Sequence, residues 1–479
     1  MSHSIHSQSE RQTVYSSDYS TKGVDILPNL VDAPYTHHLI DGMQEPGPSE
    51  VARPLYTSHF MDRTETMRES RSMYLKVVGV GVVAMIIVMF SVFSIYWGAL
   101  WKIPERSLDG WVVNFDDSTV GNAVVQAMLS STASSGIVSW TNKSASEFPG
   151  GVDDVADAVL DQRTWVAVVV HPNTTRLLQS AVLSMNSSYD GSTALTAYAV
   201  EARNENAFRI LIRPVVEGTL NAVSLGIAIS FVKQVGSSYP QIIANISTAA
   251  PQILAQPVGY TLNNLRPFDV PVASAMTYVG LIYVLVLAFF IVNFSAAARE
   301  MSGLETSLTT RSLIFLRLAS SFVSYFMLAF FYSLLCLAFQ VDFSRTLGRS
   351  GFVVFWMLNY VGMLAVGLSL EAMLTLLTAR FVGFFVIFWI ISNVSVCFMP
   401  LEVLPGIFRY GYAFPFYNVS GAVRTIIFGT KNQLGLQFGI LLAWMGVSLI
   451  TLPLFQWLFR RGAVAKAKAV THRAGEKDS

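Results

Sequence analysis

The sequence predicts a membrane protein: a six-helix α-helical transmembrane bundle with a large extracellular α/β domain between spans one and two. Three observations predict it. Six long, nearly uncharged apolar runs lie between Val77 and Leu458, and a helix needs about 20 apolar residues to cross a ~30 Å hydrocarbon core. The chain is 52% hydrophobic and only 13% charged, well under the roughly 25% charge of soluble domains. A polar segment over residues 100–272 separates the first run from the other five. The formal net charge of +1 supplies no field that would attract nucleic acid.

In chain order, residues 1–72 are rich in Ser, Thr, His and Pro and lack a sustained apolar period, which reads as a disordered cytoplasmic tail. His3, His6, His37 and His38 have no Cys or carboxylate cluster nearby at ligand spacing. They are expected to be solvated rather than metal-bound. Span one, 77–98, starts too far from Met1 to be a cleaved signal peptide and outlasts a signal's apolar core, so it reads as a retained signal-anchor. Arg63, Arg68, Arg71 and Lys76 precede it, and Arg460, Arg461, Lys466 and Lys468 follow the last span. Both termini are therefore expected in the cytoplasm, with residues 462–479 as a basic tail.

The segment 100–272 alternates strand and helix signals. Residues 110–115 (GWVVNF) place Trp111, Val113 and Phe115 on one strand face. Asp116, Asp117 and Ser118 supply N-cap chemistry, and Val120, Ala123, Val124, Ala127 and Met128 follow at the spacing of a buried helix face. Thr164–Val170 is a continuous apolar strand of the kind covered on both faces. Pro172 and Asn173 end it, and a helix with Leu177, Leu178, Ala181, Val182 and Met185 inward comes next. A third strand at 193–200 leads into a long helix over roughly 206–235. Its apolar part, 218–232, is about 15 residues long and reads as a buried helix, not a span. The two cysteines, Cys336 and Cys397, fall inside predicted spans, so this domain relies on its core and not on disulfides. Sequons at Asn142, Asn173, Asn186 and Asn245 mark it as outside, and Asn418 adds a fifth glycosylation candidate in the last outside loop. Asn293 and Asn393 also match the motif but sit inside spans.

The five-span bundle, 275–458, is predicted to have spans at 275–297, 313–339, 352–377, 381–399 and 435–458. Arg317 and Glu371 are its intramembrane ionisable residues, and charge at that depth is paired or functional. Spans three and four form an antiparallel hairpin, and the depths of these two residues differ by only about 3 Å at 1.5 Å per residue. They are expected to form an ion pair near the cytoplasmic side; snorkelling and a transport role are the other readings. Asn293, Asn359 and Asn393 are expected to hydrogen-bond between helices. Gly435 and Gly439, with Gly446 near the same face, offer a close-packing surface on the last span. Residues 400–433 are too interrupted by Pro400, Pro405 and Pro415 to span, and read as one or two interfacial or re-entrant helices. Tyr410, Tyr412, Phe414, Phe416 and Tyr417 would form an aromatic belt there.

Enzyme motifs are lacking. The sequence has no G-x-x-x-x-G-K-[ST], no H-E-x-x-H, no G-x-S-x-G and no C-x-x-C. No enzymatic activity and no cofactor is expected, and ATP would need a separate ATP-binding subunit.

The stretches YWGALWK (96–102), LDGWVVNFDD (108–117), VAVVVHPNTT (166–175) and FPFYNVSGAVRTIIFGT (414–430) resemble the fungal nitrosoguanidine-resistance family of membrane proteins. That family is in turn distantly similar to the type-2 membrane domain of ABC exporters and to bacterial YhgE/Pip-like proteins. The resemblance covers about residues 70–462 and implies a fungal multi-pass plasma-membrane protein linked to drug resistance, with six spans and a large external domain; the sequons add the expectation of a glycoprotein. It implies no catalytic residues. The leading functional reading is export of a toxic small molecule through a permease-like bundle without its own ATPase. The alternative is a membrane-organising protein that acts on lipid distribution or on assembly of other transporters. Membrane lipids, an unidentified small-molecule substrate and a separate ATP-binding subunit are the expected partners.

Overall fold

In the computed structural model, residues 58–238 and 240–475 are described; the four tail histidines lie outside that range. The chain divides into a unit ending at Arg71 and a unit beginning at Ser72. In the first, a turn in which Asp62 accepts from the His59 amide at 2.8 Å precedes the start of helix α1, Glu65–Leu100. This corrects the expected tail: residues 65–72 are helical, with Glu65 in the first turn, where a carboxylate favours the positive end of the helix dipole.

In the second unit, α1 leads to a five-stranded sheet. Its elements are β1 (Leu108–Asn114), α2 (Thr119–Ser135), β2 (Val138–Lys143), α3 (Val152–Leu160), β3 (Val166–Val170), α4 (Thr174–Ser184) and β4 (Leu195–Ala199). There follow α5 (Glu205–Ser237), α6 (Pro240–Ala249), α7 (Pro251–Ala255) and β5 (Tyr260–Asn264). The strand order is β2-β1-β3-β4-β5, parallel except for the β3–β4 pair. Every residue of β3 and β4 is buried, as their continuous apolar runs require. Val112 faces the larger core beneath α2, α4 and α5, while Val113 faces a smaller one that α3 and Phe148 close. The short edge strands β2 and β5 escaped the sequence reading because their half-buried patterns become strands only by pairing with distant residues. Leu177, expected inward on α4, is 57% exposed, while Leu178 is buried.

Asp116 joins two helix starts. It accepts from the Thr175 amide at 2.9 Å and the Gly121 amide at 3.3 Å, so one carboxylate serves α4 and α2 together.

The bundle comprises α8 (Ala275–Met301), α9 (Thr310–Ala338), α10 (Ser344–Ala379), α11 (Phe381–Val394), α12 (Pro415–Phe428) and α13 (Leu434–Gly475). Among the described residues, six helices are long and apolar enough to cross a membrane: α1, α5, α8, α9, α10 and α13. The number matches the sequence reading, but the membership does not.

Two corrections follow. The expected span 381–399 is helical only over Phe381–Val394, about 21 Å at 1.5 Å per residue. Pro400 biases the preceding backbone away from helix, and the Phe398 carbonyl there accepts from Asn206 of the sheet domain at 3.1 Å. Helix α5 runs where the long helix was expected, but its 218–232 part is not a buried helix, since Leu225 and Ile229 are 62% and 48% exposed. It nevertheless leaves from β4 and the chain returns to β5, the neighbouring strand in the same sheet. An excursion that starts and ends in one sheet does not make a single crossing. The expected C-terminal tail is also helical as far as Gly475, in keeping with its Ala- and Lys-rich sequence.

Helix α12 corrects the expectation of an interfacial anchor. All its residues except Tyr417 and Gly421 are buried. Phe416 belongs to the core, and Phe414 packs on Trp389 and Trp444 with ring centroids 5.4 and 5.9 Å away. Only part of the expected belt, including Tyr412 at 47%, is exposed.

Candidate functional site

A buried charge cluster ties four helices of the bundle together. Arg317 on α9 donates from Nε to Glu371 Oε1 on α10 at 2.7 Å, and from Nη2 to the Glu371 carbonyl at 2.8 Å. Arg299, at the end of α8, reaches the same Oε1 at 3.0 Å and also pairs with Glu305 at 3.3 Å. Gln456 on α13 accepts from Arg317 Nη1. The Arg317 and Glu371 side chains are 3% and 1% exposed. Two guanidiniums therefore share one fully buried carboxylate, and removing it would leave Arg317 buried without a carboxylate, the costly state, and Arg299 with Glu305 alone. The sequence singled out Arg317 and Glu371; it placed Arg299 in a loop and gave no signal for Gln456. Beyond this cluster, Arg460 donates to the carbonyls of Glu305 and Leu308 at 2.5 and 2.6 Å, fastening α13 to the turn between α8 and α9.

A second polar assembly joins the sheet domain to the bundle. Arg424 on α12 pairs with Glu205, the first residue of α5, at 2.5 Å, with both side chains at most 7% exposed. Its Nη1 also donates to the Ala202 carbonyl at 3.1 Å. Arg203 lies over the Trp165 ring at 3.5 Å, donates to the Thr164 carbonyl at 2.9 Å and reaches Glu402 at 3.3 Å. Burial pulls the Arg203 guanidinium below its ordinary value, and Glu402 opposes that pull. Arg266 donates to the Gly429 carbonyl at 3.2 Å, and Arg345 pairs with Asp269 at 2.7 Å. A cavity of about 90 Å³, bordered by Arg203, Arg424, Tyr417 and Gln437, lies within the junction.

Three buried polar residues lie along α13 between the two assemblies. Gln437 borders the junction cavity, Ser448 meets Ser369 of α10 at 3.1 Å, and Gln456 joins the charge cluster. All three α13 residues are buried. From Gln437 to Gln456 the helix rises about 28 Å, close to the ~30 Å of a hydrocarbon core. Polar groups facing inward at three depths of one apolar helix are expensive unless paired or functional.

The other singled-out residues divide. Asn142, Asn173, Asn186 and Asn245 are all exposed on the sheet domain. Asn418 is corrected: it is 3% exposed, and its Nδ2, the atom a glycan would occupy, donates to the Tyr412 and Phe414 carbonyls at 3.0 and 2.8 Å. Asn293 and Asn359 bond the carbonyls of their own helices, at Phe289 and Phe355, and not a neighbouring helix. Asn393 does both, since its Oδ1 accepts from the Phe416 amide of α12 at 3.1 Å. The expected contact at Gly435, Gly439 and Gly446 is also corrected: a Cβ at any of the three would meet no atom within 4 Å. Close approach occurs instead at Gly367, where a Cβ would fall 2.3 Å from the Tyr325 hydroxyl. Among the described residues no group of three or more His, Cys, Asp or Glu is placed to hold a metal ion.

Comparison with known proteins adds a family and a yeast relative. The family described as a protein of unknown function (DUF3533) matches residues 81–450. An uncharacterized endoplasmic reticulum membrane protein of Saccharomyces cerevisiae, YJR015W, is 28% identical over 309 residues, covering 63% of this chain. The match spans 60% of that relative's length. No solved structure matches. With its apolar helices and a membrane-protein relative, the chain is a helical membrane protein.

Proposed function

The chain belongs to the DUF3533 family of unknown function, and from that premise we propose that it exports toxic small molecules as a permease-like membrane protein without an ATPase of its own. The row of buried polar residues on α13 carries this reading. A substrate moving between α10 and α13 would exchange hydrogen bonds at Gln437, Ser448 and Gln456 in turn. The charge cluster closes one end, and buried α12 closes the other. Opening then requires the junction around Arg424 to rearrange, which gives the sheet domain a gating role.

In this reading the sheet domain lies outside and both termini lie in the cytoplasm. The positive residues flanking α1 and α13 and the four exposed sequons support that orientation. Energy comes from a separate ATP-binding subunit, and the role involves no covalent chemistry. In this reading the protein works at the plasma membrane, as the sequence resemblance to the nitrosoguanidine-resistance family implies. The relative's name makes the endoplasmic reticulum the competing location, and a fluorescent C-terminal fusion distinguishes them.

The decisive experiment compares cells with wild type, no protein, or Ser448→Leu, at matched membrane abundance. Intracellular accumulation of a nitrosoguanidine and of unrelated toxic compounds is measured. Export predicts that Ser448→Leu accumulates one compound class as fully as the deletion does. Normal resistance in Ser448→Leu and in the deletion would overturn it. Mild-detergent purification should also bring down an ATP-binding subunit.

A further inference from the structure

We propose that the groove between α2 and α5 binds an uncharged single-chain amphiphile, an aliphatic tail bearing a small hydroxyl- or ester-type head. The proposal concerns the sheet domain alone and holds whether or not the bundle conducts.

Helix α5 has the length and apolar content of a membrane-crossing helix, yet its connections on both sides keep it with the sheet. It lies against α2, with Cα atoms of the two helices within 8 Å of each other in places. Between them lies a groove of about 790 Å³, with Leu178 of α4 in its lining, within the roughly 300–1,000 Å³ of small-molecule sites. The space stays open because the walls are small residues, Ala123 and Ala127 on α2 and Gly218, Ala222 and Gly226 on α5. A Cβ at Gly218 or Gly226 would meet no atom within 4 Å.

The lining selects the occupant. Among the described residues it contains no Asp, Glu, Lys or Arg, so a carboxylate or phosphate placed there would be desolvated without a counter-charge. Val120, Val223, Ile227 and Phe231 supply apolar surface, and Thr119, Thr219, Ser230 and Gln234 supply uncharged polar contacts. Both walls are helices whose backbone groups are bonded internally, so neither offers a strand edge to pair with an extended peptide. An occupant with a long apolar body and few polar groups satisfies these conditions. From Gly218 to Gln234 the groove follows about 24 Å of α5, long enough for an extended alkyl tail.

The test uses the full chain in lipid nanodiscs, with a series of monoacylglycerols of increasing tail length displacing a pyrene-labelled monoacylglycerol. Saturable binding is expected, tightening about fourfold per added methylene until the groove is filled. Gly226→Leu and Ala123→Leu each direct bulk into the groove and should weaken binding at least tenfold with an unchanged melting temperature. Leu225→Ser, outside the lining, should bind as wild type does. If Gly226→Leu fails to fold, Ala123→Leu carries the test. Several results would overturn the proposal: no signal beyond that of empty nanodiscs, undiminished binding by the filled variants, or equal affinity for the fatty acid of matching length. Self-association that the filled variants abolish, without probe binding, would assign the groove to a second copy of the chain and likewise overturn it.

Discussion

Glu371 is the residue on which the bundle's charge balance turns. Because both Arg317 and Arg299 bond its Oε1, the two ends of the pair are not equivalent. Arg317→Ala leaves Glu371 with Arg299 as a partner, whereas Glu371→Ala leaves Arg317 with no carboxylate and Arg299 with Glu305 alone. Breaking a buried pair costs roughly 3–5 kcal/mol, and Glu371→Ala should lie at or above the top of that range, with Arg317→Ala clearly milder. Detergent melting curves and surface abundance check the order; equal losses would mean Arg299 is not a partner in the folded protein. Exchanging the charges, Arg317→Glu with Glu371→Arg, should not rescue, because the new arginine would face Arg299. A pair alone, as read from the sequence, would predict rescue. At the end of the central strand β3, burial lowers the His171 pKa from 6.5, and its Nε2 lies 2.9 Å from Thr196 Oγ1. The unfolded chain therefore takes up this proton first as pH falls. The stabilising difference is whole above 6.5 and is lost as pH drops from 6.5 toward the lower folded value. His171→Gln should flatten the fall in melting temperature between pH 7.5 and 5.5; an unchanged slope would assign that fall to other groups.

Between elements, contacts are set by residues far apart in sequence. Gly367 lets α10 approach α9 where Tyr325 sits with 0% exposure. Gly367→Leu forces those helices apart, and overpacking of this kind costs about 1–3 kcal/mol. The same change at Gly439, where a Cβ meets nothing within 4 Å, should leave the melting temperature within a degree or so. A sequence motif would rank these two glycines the other way round. The α5–α12 junction makes a comparable case. Arg424→Met and Glu205→Gln should each release the sheet domain, and their effects should be non-additive by about 0.5–3 kcal/mol in a double-mutant cycle. Additive effects would mean the pair does not couple the domain to the bundle. Helix α12 itself was legible as a short, interrupted segment, but not as a buried one. Its aromatic residues fit a membrane interface and a protein core equally well, and only the packing of Trp389, Trp444 and Glu205 around it decides between them.

For the whole molecule, orientation is the property most open to test. Reporters at Gly191 and Ser479 should read outside and cytoplasmic respectively; a cytoplasmic Gly191 would reverse the arrangement. Deglycosylation should shift the gel mobility of wild type, and replacing Asn142, Asn173, Asn186 and Asn245 together by Gln should abolish the shift. Asn418→Gln should leave the shift intact while lowering stability, since it disturbs two buried hydrogen bonds. The sequence by itself determined where apolar runs lie, that strands and helices alternate between the first and second runs, and which two charges sit deep in the bundle. These are properties of short windows, carried by hydropathy and by the periods of helix and strand. The tertiary structure decided which long helices belong to the sheet domain, since α5 is tied there by the pairing of β4 with β5. It also decided that β2 and β5 are strands, that Glu371 serves two arginines, and that Asn418 is closed to modification. Each of these depends on residues brought together from distant parts of the chain, and no local period encodes which partner will arrive.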